Sequence, residues 1–246
     1  MKNLFSYATN LTLRIKDIQR HQKKIMDLQY ETIWANIYHD SIKGNREIES
    51  LPLNIGRFAG SYAFFYVLFR IMTDKKPKRI LEFGLGESSK FISTFIKNEP
   101  HENFHTIVEH DENWRKNFEK SFELSEESEI MICPLTTKNV KGFDVLSYQN
   151  IENTVTGKYD LYVIDGPFGS ERYSRYDIVG LLTNLQKDDD FMIILDDYDR
   201  TGEKDTLNDI ENLLKQKGII SETGIYRGEK SVAVVVSEQN KYFTTL

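Results

Sequence analysis

The chain is 246 residues long, 39% hydrophobic and 28% charged, with a formal net charge of −6 and a single cysteine. That length holds one sizeable α/β domain plus an appendage. The acidic balance counts against nucleic-acid binding, which needs a clustered basic surface. The lone Cys133 excludes an internal disulfide and a cysteine-cluster metal site.

Residues 1–13 contain no long apolar run and no small-residue cleavage site, so no signal peptide is expected. Residues from about 11 to 39 predict one or two helices. Leu11, Ile15, Ile18, Ile25 and Leu28 form a stripe at helical spacing. The other face is basic, with Lys2, Arg14, Lys16, Arg20, Lys23 and Lys24 against Asp17 and Asp27. Such a helix docks on its own domain or on a second copy, giving a homo-oligomer; an anionic membrane surface or polymer is the alternative.

Residues 41–57, with Gly44, Pro52 and Gly56, read as a connector, which divides the chain into an appendage at 1–57 and a main domain at 58–246. Gly60 and Ser61 either border a cofactor or start the apolar helix 62–72. That helix carries Arg70 and is too short to span a bilayer, so the expected location is the cytoplasm.

Residues 78–90 organise the remainder of the chain. A strand at 79–83 turns through Gly84 and Gly86 into a helix, with Ser88 and Ser89 in its first turn. Glycines there let backbone N–H groups approach a ligand, and the helix start offers unpaired donors. A dinucleotide fingerprint wants Gly or Ala where Ser89 stands, and Glu82, two residues before Gly84, would repel a pyrophosphate. A carboxylate there suits a cationic amine or a sulfonium. With Glu82, the turn resembles the first motif, acid-x-Gly-x-Gly, of the class I S-adenosylmethionine-dependent methyltransferases.

Strands and helices then alternate, as in a parallel sheet covered on both faces. Strands are predicted at 105–110, 129–133, 159–165 and 191–195, helices at 112–122, about 175–185 and about 202–216, and a final hairpin from 218–220 and 231–237. The resemblance implies a Rossmann-like, seven-stranded α/β methyltransferase sheet, here with an N-terminal helical appendage. Glu109 ends the second strand about 20 residues beyond the glycines, where an acid accepts from both ribose hydroxyls. The loop near Cys133 and Leu135 would lie by the adenine, without an obvious polar reader.

Asp165 ends the fourth strand, and Asp196 and Asp197 end the fifth, at the edge where open α/β sheets bind ligands. These carboxylates leave two alternatives. One is a Mg²⁺ site of Asp165, Asp196 and Asp197, as in catechol-like O-methyltransferases. The other is structural, with Asp199 or Thr201 capping the next helix and Arg200 neutralising an aspartate.

A second similarity spans roughly residues 80–200. Phe-Gly-Leu-Gly, Asp-Gly-Pro-Phe-Gly and Asp-Asp-Tyr-Asp-Arg resemble the glucuronoxylan 4-O-methyltransferases, with Asp196 where that pattern has histidine. The resemblance implies a saccharide acceptor walled by residues 168–176. Arg172, Arg175, Tyr198 and Arg200 are then expected to contact it, the arginines favouring an acidic sugar. The expected activity is O-methylation of a saccharide or other small hydroxylated molecule. Asp165 is the foremost base, followed by His110 and Asp197. The rivals are a nicotinamide or nucleotide-sugar enzyme and a non-catalytic assembly protein with the same fold.

Overall fold

A computed structural model describes residues 2–56, 58–97 and 103–246; the 57/58 boundary and the side chains of residues 1–10 lie outside what is described. The chain begins with one 40-residue helix, α1 (Lys2–Ser41), and not two. The connector is partly helical: Asn45 accepts from Ile48 N and caps the short α2 (Arg46–Ser50). Helix α3 (Tyr62–Asp74) is apolar almost all round and is correspondingly buried.

The alternating part runs β1 (Arg79–Phe83), α4 (Glu87–Lys97), β2 (Phe104–Glu109), α5 (Glu112–Ser121) and β3 (Ser128–Ile132). A hairpin of β4 (Leu135–Val140) and β5 (Phe143–Tyr148) and a single turn α6 (Ile151–Thr154) come next. The chain continues through β6 (Leu161–Ile164), α7 (Asp177–Leu181), β7 (Met192–Leu195), α8 (Thr201–Gln216), β8 (Ser221–Tyr226) and β9 (Val232–Ser237). The main sheet has seven strands in the order β3-β2-β1-β6-β7-β9-β8, and only β9 runs against the others. The chain leaves β1 toward one edge and returns at β6 toward the other. Between β1 and β6 lies the switch point where such sheets open a ligand crevice.

Alternation along β1 splits the core into two layers. Ile80 packs with Phe64, Phe65 and Phe91 under α3 and α4, whereas Leu81 and Phe83 pack with Ile178, Leu207 and Ile210 under α7 and α8. The end of α1 joins the first layer through buried Tyr38 and half-buried Trp34 and Ile37.

Three departures from expectation have local causes. Gly218 takes a positive φ of 65° just past α8, so residues 218–220 finish that helix and β8 starts at Ser221. The β4–β5 hairpin turns at Lys141 and Gly142, both left-handed at φ 51° and 90°, the conformation a two-residue hairpin loop requires. Helix α7 begins at Asp177, because Tyr173 and Arg175 are also left-handed, at φ 49° and 58°.

Candidate active site

The glycine turn is built as its spacing implied. Gly84 has a φ of 96°, and a Cβ on it would lie 3.4 Å from the Asp165 backbone, so the turn and the end of β6 pack without side-chain room. A Cβ on Gly86 would meet nothing within 4 Å, which leaves open space above the turn. Ser89 Oγ accepts the Gly86 N–H at 3.0 Å and so occupies one helix-start donor.

Glu82 lies elsewhere than expected. It is fully buried, takes the Ser88 hydroxyl on one oxygen and His105 Nε2 at 2.9 Å on the other, and His105 Nδ1 reaches Ser128 Oγ at 3.1 Å. Both oxygens are engaged inside the protein, so Glu82 and Ser88 hold β1, β2 and α4 together and do not reach the crevice. Gly60 and Ser61 are likewise structural: Ser61 accepts from Phe64 N as the cap of α3, and a Cβ on Gly60 would strike the Phe64 ring.

Glu109 is buried at the end of β2. Its carboxylate accepts from Leu85 N at 3.1 Å, His110 N at 2.6 Å and Asp111 N at 2.8 Å, and His110 Nδ1 stands 2.7 Å away. One side chain thereby ties the glycine turn to the start of α5. His110 also meets the Phe168 ring at 4.9 Å, bringing the loop after β6 across to the end of β2.

Asp165, Asp196 and Asp197 converge as predicted, with one carboxylate oxygen from each lying within 4.8 Å of the others. Cations already fill the space between them. Arg175 Nη2 lies 3.0 Å from Asp165 and 2.7 Å from Asp197, and Nη1 donates to the Asp196 carbonyl at 2.9 Å. Lys230, from the β8–β9 turn, bridges Asp196 at 3.1 Å and Asp197 at 3.2 Å. Arg200 adds a third contact to Asp197 at 2.9 Å. Buried Glu203 stands 3.7 Å from Arg175 Nε.

This charge lattice sets the protonation of its members. Burial, reinforced by Asp196, pushes Asp165 up to about 8 against the pull of Arg175 and Lys230. Burial also acts on Asp197, but Arg175, Lys230 and Arg200 outweigh it and hold that carboxyl below its ordinary range. Asp197 and Arg175 both sit in the left-handed region, at φ 59° and 58°.

The fit to a divalent cation is therefore poor. Mg²⁺ wants carboxylate oxygens free of cations, whereas both oxygens of Asp197 are taken by Arg175, Arg200 and Lys230. The acidic-sugar expectation for the arginines changes too. Arg172 is paired with both oxygens of Asp205 and lies over Phe143 and Tyr173, and Arg175 is buried in the lattice. Neither points a free guanidinium at an acceptor. Tyr198 is half-buried, and Arg200 keeps 52% of its side chain exposed at the rim. Asp199 caps nothing: it accepts from the N–H and hydroxyl of Ser231 and fastens the Lys230 turn, while α8 starts without a side-chain cap.

Sequence reasoning missed Lys230 and the hairpin residue Tyr148. The Tyr148 hydroxyl donates to the Val108 carbonyl at 3.2 Å, and its ring lies 5.4 Å from that of Phe83. Asp177 holds the hairpin in place by accepting from Tyr148 N at 2.8 Å and from the Ser147 hydroxyl.

No family model and no curated protein matches this sequence. Among solved structures, the O-methyltransferase TomG from Streptomyces achromogenes, determined with S-adenosylmethionine, is similar to it. The TM-score is 0.52 at 13% identity, over 87% of this chain and 98% of that one. The chain shares the fold of that protein. A putative O-methyltransferase from Klebsiella pneumoniae (TM-score 0.49, 13% identity, 86% and 99% covered) and the methyltransferase PaMTH1 from Podospora anserina (0.47, 12%, 91% and 95%) also match. In this fold the Gly84–Gly86 turn packs on the Asp165 backbone at the end of β6 and is tied to the end of β2 through Leu85 N and Glu109.

Proposed function

We propose that this protein is an S-adenosylmethionine-dependent O-methyltransferase, with residues 58–246 as the catalytic domain, acting on a small hydroxylated acceptor, foremost a saccharide. The observation that carries this reading is the open space beside Gly86, in a turn tied to Glu109 and packed on the Asp165 backbone. The residues fit the cofactor: the glycine turn admits it without side-chain obstruction, and Glu109 would face its ribose. When bound, the cofactor supplies a methyl group on a sulfonium, which departs as a neutral thioether.

The chain's own residues position the acceptor and take its proton. Arg175 holds Asp165 Oδ1 at 3.0 Å, which orients the carboxyl at the crevice edge. With its protonation point near 8, Asp165 is a stronger base than an ordinary carboxylate, suited to accept the hydroxyl proton as the new C–O bond forms. His110 and Phe168 meet edge to face at the end of β2, with Phe168 65% exposed.

Because the lattice is already neutralised by Arg175, Lys230 and Arg200, the reaction needs no divalent metal. The paired state of Arg172 and Arg175 favours neutral acceptors over uronic acids. Calorimetry with S-adenosylmethionine, its demethylated product and NAD, then transfer of labelled methyl to a panel of hydroxylated acceptors, tests the reading. Binding of either methyl-cycle ligand but not NAD, and label on a hydroxyl, are expected. Absence of binding by both would overturn it.

A further inference from the structure

The domain covers only the later part of α1, from about Glu31, and residues 11–30 are exposed on nearly every side. Glu31, Trp34 and Tyr38 touch the body of the protein: Trp34 Nε1 donates to the Arg227 carbonyl at 2.8 Å, and Tyr38 is buried. Trp34 lies nine residues after Ile25, about half a turn round the helix axis at 3.6 residues per turn. Leu11, Ile18 and Ile25 therefore point away from the domain contact, and Leu11, Ile15, Ile18, Ile25 and Ile33 are each between 47% and 56% exposed. An exposed apolar stripe of this length marks an interaction site.

Its spacing identifies the occupant. Leu11, Ile15, Ile18, Gln22, Ile25 and Gln29 succeed one another at four, three, four, three and four residues, the repeat of a coiled-coil seam. Leu11, Ile18 and Ile25 then take the d positions, and Ile15, Gln22 and Gln29 the a positions. We propose that α1 assembles this protein into a parallel, in-register coiled coil with other copies of the same chain.

The two glutamines decide the direction. In an antiparallel pairing every a residue faces a d residue, so Gln22 and Gln29 would each bury an amide against Leu or Ile without a partner. In a parallel pairing Gln22 meets Gln22 and Gln29 meets Gln29, and the amides bond one another. The flanking positions agree: Arg14 falls beside Gln19 of the next copy, His21 beside Met26, and Leu28 beside Ile33, with no like charges opposed. Lys16, Lys23, Lys24 and Arg20 lie off the seam, in water. The domain bodies hang on the outer faces of the helices, so they do not obstruct the seam.

The test uses the full chain. Sedimentation equilibrium is expected to give a multiple of the 28.8 kDa chain mass, and Ile18→Glu/Ile25→Glu to reduce it to one chain without lowering the domain's melting temperature. Gln22→Cys is expected to form a chain-to-chain disulfide under mild oxidation, since the sole native thiol, Cys133, is buried. A single-chain mass for the wild type at every concentration would overturn the proposal. So would a wild-type monomer that co-sediments with anionic phospholipid vesicles, which would assign the stripe to a lipid surface. Self-association without a Gln22→Cys cross-link would overturn the parallel register.

Discussion

Glu31, in the later part of α1, accepts the backbone N–H of Glu229 at 3.1 Å, next to the lysine that enters the charge lattice. Its other oxygen accepts Tyr62 N at 2.7 Å, at the start of α3. The N-terminal helix is thus fastened to the turn that presents Lys230. Glu31→Ala strands two backbone donors at about 1–3 kcal/mol each, less where water replaces the carboxylate. A fall in melting temperature of several degrees is expected, together with weaker acceptor handling. Unchanged melting would show that water satisfies both donors.

Glu109 fixes the glycine turn through Leu85 N, and in the proposed function it also faces the cofactor ribose. Glu109→Ala is expected to weaken S-adenosylmethionine binding by about 10- to 100-fold, the scale of lost charge-assisted hydrogen bonds. Glu109→Gln retains acceptor capacity for Leu85 N and is expected to fall between wild type and Ala. Titration calorimetry on the three proteins gives the order, and equal affinities would remove Glu109 from the cofactor site.

Asp165 predicts two opposite pH trends. As a base it must be deprotonated, so the rate should rise toward a plateau as pH passes about 8. For stability the sign reverses. Its folded protonation point lies above the unfolded value of about 4, so the folded state binds more protons between these limits and stability falls as pH rises through them. Asp165→Asn should therefore lower turnover by about 10² to 10⁴ while melting higher than the wild type at pH 9. A variant with full activity would exclude Asp165 as the base.

Chelation is expected to leave turnover unchanged, since cations of the chain already occupy the carboxylate cluster. Lys230→Met, which strips Asp196 and Asp197 of a shared cation, should cost up to about 3–5 kcal/mol, at the lower end because Lys230 retains 18% side-chain exposure. Thermal stabilisation by Mg²⁺ in that variant but not in the wild type would show lysine and metal competing for one place. Loss of wild-type activity in chelator would refute the metal-free reading.

The parts of the fold carried by contiguous signals were legible. The glycine turn needs its glycines within a few residues, and apolar runs ending in Asp165 or Asp197 announce where strands stop. What depends on convergence was not. Arg175 was expected to contact the acceptor from a loop wall, and only the meeting of Asp165, Asp196, Asp197 and Glu203 buries it. Lys230 looks like any polar residue in a hairpin turn. Glu82 misled for the same reason: its partner His105 comes from β2 and is held in turn by Ser128 of β3. The β4–β5 hairpin did have a signal in Lys141-Gly142 between six-residue strands.

Arg175 and Asp197, at φ 58° and 59°, pose a conflict for anyone who would redesign this chain. Glycine at either position would relieve a backbone penalty on the order of 1 kcal/mol. The same exchange would delete a charge from a lattice that is close to neutral only as a whole. Stranding its buried partners would cost about 3–5 kcal/mol, more than the backbone relief, so a stabilised descendant should keep both side chains and gain its stability elsewhere.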